Sequence, residues 1–182
     1  MSEQLLFVGM GGQGLQAMAT LIAEAAAEEG RQVIYSTTYG GSQRGGLSKA
    51  NVIISDKRIG APVTFPGEAT ALVAMSDEAV KTYEHYLESG ALMLVNSDMV
   101  EAEPSRADIR VLKIPMQALA KEMNNERGAN MIALGALLHC VRVVKEDSVT
   151  GQLEAMFTGR KAHLAAPSIE AVRRGAEAAA RL

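Results

Sequence analysis

The sequence contains a single cysteine, Cys140, among its 182 residues. An intrachain disulfide therefore cannot form, and the thiolates of this chain alone cannot hold an iron–sulfur cluster. The three histidines, His85, His139 and His163, lack the spacing typical of metal ligands. His139 beside Cys140 on an apolar helix is more typical of a core or interface pair than of a set of metal ligands. The sequence therefore predicts no metal site in this chain.

Tryptophan is absent, and neither a run of 18 apolar residues nor a charged-then-apolar leader is present. We therefore expect a cytoplasmic protein that makes no membrane contact. The net charge of −3 provides no bulk attraction to nucleic acid, which is not an expected partner. The length, without repeats or linkers, predicts a single domain over residues 1–182.

The most informative segment is a short apolar run followed by glycines. Leu5–Val8 reads as a buried strand, and Gly9, Gly11 and Gly14 give the spacing G-x-G-x-x-G with Gly12 as an extra glycine. An amphipathic helix follows, with one apolar stripe formed by Leu15, Met18, Ile22 and Ala25. Such a strand–turn–helix unit directs backbone N–H groups and the positive end of a helix dipole at one point, which suits a phosphate or diphosphate. The alternative is that the glycines only let the helix pack close to its strand.

Two motifs that usually accompany such a turn are missing. The second strand, residues 32–36, runs into Thr37, Thr38 and Tyr39 without the acid that holds a ribose in dinucleotide-binding folds. No Lys-Ser or Lys-Thr follows the last glycine of the turn. An ordinary NAD site is therefore disfavoured, and nucleotide hydrolysis has no support.

Apolar strands alternate with helices along the rest of the chain. We predict further strands at 47–55, 71–75, 91–95 and 109–114, a short extended piece at 59–63, a helix capped by Ser76 and ended by Gly90, and helices at 130–144, 148–157 and 167–181. This pattern predicts a three-layer α/β/α fold, Rossmann-like, with a mostly parallel sheet. The helix at 130–144 is apolar almost all round, so it is either central or covered by another subunit.

A second glycine-rich loop lies between the second and third strands. Gly40, Gly41, Gly45 and Gly46 surround Arg44, whose guanidinium can bind a phosphate or carboxylate in a bidentate manner. We expect this loop and the first glycine turn to share one face of the sheet. The alternative for Arg44 is a solvated surface side chain.

Four motifs together resemble a known family. Gly-Met-Gly-Gly-Gln-Gly at 9–14, Tyr39-Gly40 with Arg44-Gly45-Gly46, Ile59 with Pro62, and Asn130-Met131 with Leu134-Gly135 are similar to the γ subunit of 2-oxoacid:ferredoxin oxidoreductases. Enzymes of this family act on pyruvate, 2-oxoglutarate, 2-ketoisovalerate or indolepyruvate. The resemblance covers essentially the whole chain.

The resemblance implies an enzyme that oxidatively decarboxylates a 2-oxoacid to an acyl-CoA and reduces ferredoxin. Thiamine diphosphate, Mg²⁺ and iron–sulfur clusters are expected in partner α and β chains, or in a separate ferredoxin-like δ chain, and coenzyme A (CoA) is associated with γ. By motif match, the resemblance assigns phosphate contacts to Gly9, Gly11, Gly12, Gln13 and Gly14. It assigns a role in anion binding or in a subunit interface to Tyr39, Gly40, Arg44, Gly45 and Gly46. No catalytic residue is expected in this chain.

The substrate is less well defined, because many relatives carry Tyr-Gly-Pro-Glu before the Arg-Gly-Gly. This chain has Tyr-Gly-Gly-Ser-Gln-Arg-Gly-Gly, which also resembles indolepyruvate enzymes. We expect the 2-oxoacid substrate of the enzyme to be 2-oxoglutarate. Two alternatives to a CoA-binding γ subunit stay open: an independent protein that binds NAD or FAD, and a purely structural subunit whose glycine loops pack against α.

Overall fold

The computed structural model describes residues 2–39 and 46–182. Six strands lie in these ranges: β1 (Ser2–Met10), β2 (Gln32–Tyr39), β3 (Leu47–Ser55), β4 (Ala69–Ala74), β5 (Leu87–Asn96) and β6 (Arg110–Ile114). The α-helices there are α1 (Leu15–Glu28), α2 (Asp77–Tyr83), α3 (Met116–Glu122), α4 (Ala129–Val141), α5 (Glu146–Met156) and α6 (Ala165–Ala180). Short 3₁₀ segments lie at Glu84–Tyr86, Glu126–Gly128 and Gly159–Leu164.

The six strands form one sheet in the order β2-β3-β1-β4-β5-β6. β1, β4, β5 and β6 are parallel, whereas β3 runs antiparallel to both of its neighbours, β1 and β2. The predicted α/β fold with a mostly parallel sheet is confirmed. Because only residues 40–46 join β2 to β3, the two strands pair as antiparallel neighbours, since a parallel crossover needs a dozen residues or more.

Successive residues of each strand pack on opposite faces of the sheet. Leu5 and Phe7 of β1 join a core with α1, α3, α4, α5 and α6, whereas Leu6 and Val8 join a second core with α2 and Leu87. In the described ranges, the fold therefore has three layers of unequal thickness, with five α-helices on one face of the sheet and the short helix α2 on the other. The predicted stripe of α1 is wholly buried against the thicker layer.

The helix predicted at 130–144 is central. Met131, Ile132, Leu134 and Leu137 of α4 are buried, and α4 packs against α6, α3 and α1 as well as β4 and β5. This packing explains why the helix has no polar face. His139 is exposed and Cys140 is half-buried, so the core alternative of the predicted core or interface pair is wrong for His139.

Several predicted boundaries are wrong. The helix after Ser76 does not continue to Gly90: α2 ends at Tyr83, and Leu87 is a buried strand residue opposite Ala69. Gly90 adopts a φ of +81° within β5, a conformation that glycine readily supplies. The stretch 59–63 forms no strand, and the short helix α3 was not predicted.

Helix α2 also anchors the loop that follows β5. Oδ1 of Asp77 accepts hydrogen bonds from the N–H groups of Glu101 (2.7 Å) and Ala102 (2.9 Å). These two bonds hold the pKa of Asp77 below its ordinary value of 3.8.

The lowered pKa of Asp77 gives a testable pH dependence. A carboxylate with a lowered pKa stabilises the fold above its unfolded pKa of about 3.9, and that stability is lost as the pH falls through the folded value. We expect Asp77→Asn to be less stable than the wild type at pH 7 and to lose less stability on acidification below about pH 4. Urea unfolding at several pH values measures this, and parallel curves for the two proteins would contradict it.

Candidate functional site

The glycine turn begins where β1 ends and leads directly into α1. Gly14 is the N-cap residue of α1, with φ 76° and ψ 19°, and its carbonyl oxygen accepts a hydrogen bond from the N–H of Met18 (3.2 Å). No side chain caps this helix, and its first turn contains no acidic residue. The positive end of the helix dipole therefore has no neutralising side chain of its own, which favours an anion at this point.

Gly12 and Gly14 require glycine for different reasons. Gly12 has a φ of +95°, and nothing lies within 4 Å of the position that a Cβ would occupy. Gly14 has a φ of +76°, and a Cβ there would lie 2.3 Å from Nδ2 of Asn130. Gly12 is therefore the open part of the turn, whereas Gly14 is in contact with the start of α4.

The side chain of Gln13 folds back beneath the turn. Its Oε1 accepts a hydrogen bond from the N–H of Met10 (2.7 Å), and its Nε2 donates to the carbonyl oxygen of Met75 (2.9 Å). Met75 in turn donates its N–H to the carbonyl oxygen of Val8 (2.9 Å). Gly9 leaves room for this arrangement, because a Cβ there would lie 2.3 Å from Oε1 of Gln13.

Gln13 thus occupies the crevice between the carboxyl ends of β1 and β4. The connection that leaves β1 packs α1 on one face of the sheet, and the connection that leaves β4 packs α2 on the other. This is the topological switch point at which open α/β sheets bind their ligands. Gly9 and the amide of Gln13 therefore support the turn from below, and Gly11, Gly12 and Gly14 form its outer part.

The second glycine motif meets the first at the same edge of the sheet. The N–H of Gly11 donates to the carbonyl oxygen of Gly46 (3.2 Å), and Tyr39, the last residue of β2, lies opposite Ser48 in the ladder. The expectation that the two motifs share one face is therefore confirmed for their described residues. Gly40, Arg44 and Gly45 lie outside the described residues, so their predicted roles stay predictions.

Two clefts share Gly12 and Gly14. One is lined by Met10, Gly11, Ser48 and the first turn of α1. The other encloses about 490 Å³, and its other described lining residues are Gln13, Met75, Gln117, Glu126, Arg127, Ala129 and Asn130. We call this second space the α4 cleft. It is large enough for part of a nucleotide-sized ligand.

The α4 cleft contains side chains that sequence reasoning missed. Arg127 is exposed, and no acid within residues 2–39 and 46–182 pairs with it. Asn130 is the second residue of α4, a helix that also begins without a side-chain cap or an acid in its first turn. In the sequence, Asn130 belongs to a family motif but Arg127 to no motif, and only the fold brings the two residues to the glycine turn.

Metal-binding and nucleophilic groups are sparse in the part of the chain that the structure describes. No three His, Cys, Asp or Glu side chains cluster there as metal ligands. Burial raises the pKa of the Cys140 thiol, so it is less reactive than an exposed thiol. None of the α-helices in the described ranges is long and apolar enough to cross a membrane.

The fold and the turn together define a Rossmann-like α/β domain with a candidate anion site at its switch point. Residues 4–178 match the family model of pyruvate ferredoxin/flavodoxin oxidoreductases. Subunit KorC of the 2-oxoglutarate synthase of Methanocaldococcus jannaschii is 30% identical over 154 residues, which cover 82% of this chain and 80% of KorC. The chain belongs to this family, and it is a γ subunit of a 2-oxoacid:ferredoxin oxidoreductase, as its motifs suggested.

Solved structures agree with this assignment. The γ subunit of a keto/oxoacid ferredoxin oxidoreductase from Geobacter sulfurreducens superimposes with a TM-score of 0.84 at 29% identity, covering 99% of both chains. A 2-oxoglutarate:ferredoxin oxidoreductase from Magnetococcus marinus has the same fold, with a TM-score of 0.88 at 24% identity. This chain covers only 31% of that longer polypeptide, so it corresponds to one part of it.

Proposed function

We propose that this chain binds CoA for an enzyme that oxidatively decarboxylates 2-oxoglutarate to succinyl-CoA and passes the electrons to ferredoxin. The observation that carries the proposal is the open glycine turn at Gly12, which leads into the uncapped start of α1 at the switch point. Relatives named as 2-oxoglutarate synthase subunits support the substrate. The Magnetococcus enzyme, which contains 2-oxoglutarate, CoA and succinyl-CoA, supports the ligand.

This turn suits CoA better than NAD or FAD, because it can bind a diphosphate but lacks the neighbouring acid that binds the ribose of a dinucleotide. Backbone N–H groups and the helix dipole favour a diphosphate at the head of α1. In dinucleotide-binding folds the strand that carries the ribose-binding acid lies beside β1. Here β3 separates β2 from β1, and β2 ends at Tyr39 without an acid. This topology argues against the alternative of an independent NAD- or FAD-binding protein.

The redox chemistry belongs to partner chains in this proposal. The half-buried Cys140 is the sole cysteine, so this chain lacks the thiolates that an iron–sulfur cluster needs. We assign thiamine diphosphate, Mg²⁺ and the clusters to α, β or δ subunits. In this chain, residues of the turn bind and orient CoA, and no side chain carries out proton or electron transfer.

Substitution of Gly12 tests the proposal. In Gly12→Ala, the methyl group enters the open space above the turn and holds an anion away from the backbone N–H groups. We expect the KM for CoA of the assembled enzyme, purified through a tag on this chain, to rise at least about tenfold. Acceptor reduction with 2-oxoglutarate measures this, and the same preparation identifies the partner chains and allows other 2-oxoacids to be compared.

Gly30→Ala is the matched control. Gly30 also has a positive φ (+78°) and open space around a Cβ, but it follows the opposite end of α1, about 20 Å away. Both variants incur a similar backbone strain of about 1–2 kcal/mol, and only Gly12→Ala should alter the KM for CoA. If the two variants assemble and have the same KM, CoA does not bind at this turn, and the purely structural role of the glycine loops is favoured.

A further inference from the structure

The α4 cleft contains donors beside the glycine turn that the diphosphate alone does not use. We propose that Arg127 and Asn130 form a second phosphate subsite, which holds the 3′-phosphate on the ribose of CoA. This inference rests on the proposed function, because it assumes that the diphosphate of the same ligand lies at the turn. It adds Arg127 and Asn130 to the proposed CoA site and gives them the 3′-phosphate, a group that the glycine turn does not contact.

The first argument is proximity. Gly12, Gly14, Arg127 and Asn130 line one continuous cleft of about 490 Å³. The amide of Asn130 lies directly against Gly14, since a Cβ on that glycine would be 2.3 Å from Nδ2 of Asn130. The beginning of α4 therefore adjoins the beginning of α1. Two adjacent anion-binding positions match a ligand whose two phosphate groups are joined through one nucleoside.

The second argument is charge. Arg127 has no acidic partner in the described ranges, so its guanidinium can bind a phosphate without first breaking an ion pair. A guanidinium matches the geometry of phosphate oxygens and binds them in a bidentate manner. Glu126 lines the same cleft and is the acid that opposes an anion there. Because Glu126 is exposed, water screens the repulsion between its carboxylate and a bound phosphate and keeps that repulsion small.

The third argument is selectivity. A phosphate monoester carries close to two negative charges at neutral pH, so a subsite for it distinguishes CoA from the same molecule without the 3′-phosphate. That molecule, 3′-dephospho-CoA, keeps the diphosphate and the thiol. A residue that contacts only the 3′-phosphate therefore affects the binding of CoA and leaves that of 3′-dephospho-CoA unchanged.

The test compares the two ligands in the assembled enzyme. We expect Arg127→Ala to raise the KM for CoA about ten- to hundredfold and to change the KM for 3′-dephospho-CoA by less than about twofold. Asn130→Ala should raise the KM for CoA less than Arg127→Ala does, and it should also raise that for 3′-dephospho-CoA because the amide of Asn130 contacts Gly14. Glu126→Gln should lower the KM for CoA only. Arg173→Ala removes an exposed arginine on α6 that pairs only weakly with Glu170 (3.9 Å), and it should change neither KM.

The outcomes separate this inference from the proposed function. If Gly12→Ala raises the KM for CoA and Arg127→Ala does not, the subsite is wrong and the CoA proposal stands. If Arg127→Ala raises the KM for both ligands equally, Arg127 does not contact the 3′-phosphate, and the inference is likewise overturned. If neither Gly12→Ala nor Arg127→Ala has any effect, both proposals fail.

Discussion

Alanine at Gly135 should destabilise the protein by at least about 3 kcal/mol, because α4 and α6 touch through their backbones at this point. A Cβ on Gly135 would lie 1.8 Å from the carbonyl oxygen of Val172, and a Cβ on Gly175 would lie 1.9 Å from that of Ile132. Each glycine thus faces the backbone of the opposite helix. Neither carbonyl can move without shifting a whole helix. Urea unfolding of the purified chain measures the effect, and Gly175→Ala should match Gly135→Ala.

Gly151→Ala provides the control for this prediction. Gly151 lies in α5, is exposed, and has nothing within 4 Å of the position of a Cβ. Alanine there should stabilise the protein by about 0.5–1 kcal/mol, because it favours the helical backbone. The same chemical change therefore has opposite signs at two helical positions. Equal unfolding midpoints for Gly135→Ala and Gly151→Ala would show that α4 and α6 are not in backbone contact.

Local patterns in the sequence predict the parts of the fold that depend on neighbouring residues. The turn from Gly9 to Gly14, the buried stripe of α1 and the apolar strands follow from short-range spacing, and each is present. The position of β3 between β1 and β2 does not follow from such patterns: the short connection makes β3 antiparallel to β2, but an apolar strand can also lie at the edge of the sheet and leave β2 beside β1. Leu87 was misplaced for the same reason, since an apolar residue suits either a helix stripe or a strand.

The candidate site likewise has features that depend on neighbouring residues and features that depend on residues distant in sequence. The glycine motifs are contiguous in the sequence, so their chemistry could be predicted without the fold. The support that Gln13 gives the turn depends on Met75, and the α4 cleft depends on Arg127 and Asn130, all of which are distant in sequence. Gln13 illustrates the difference well. A motif match assigns it to the ligand, whereas the geometry uses both polar atoms of its amide within the protein.

Replacement of Gln13 by glutamate should weaken CoA binding more than any other single change proposed for the turn. A carboxylate can still accept a hydrogen bond from the N–H of Met10, but it cannot donate to the carbonyl oxygen of Met75. It also places a negative charge beneath the diphosphate site. We expect the KM for CoA to rise more than about a hundredfold at pH 8, relative to the wild type at the same pH.

The defect of Gln13→Glu should also depend on pH. Only the protonated carboxyl can donate to the carbonyl oxygen of Met75, whereas the ionised carboxylate leaves two acceptor oxygens facing each other. The penalty is therefore largest while the carboxyl is ionised, and it shrinks on acidification, when the neutral acid reproduces both hydrogen bonds of glutamine. The ratio of variant to wild-type KM should be larger at pH 8 than at the lowest pH at which both enzymes stay assembled.

Gln13→Met separates the charge from the hydrogen bonds. Methionine has nearly the shape of glutamine but makes neither bond and carries no proton that could titrate, so its defect relative to the wild type should be smaller and independent of pH. A defect in Gln13→Glu no larger than that in Gln13→Met at pH 8 would show that the charge of the carboxylate does not act on CoA binding. A wild-type KM in both variants would show that the two hydrogen bonds of Gln13 do not support the turn, whose rigidity would then come from its glycines and from the contact between Gly14 and Asn130.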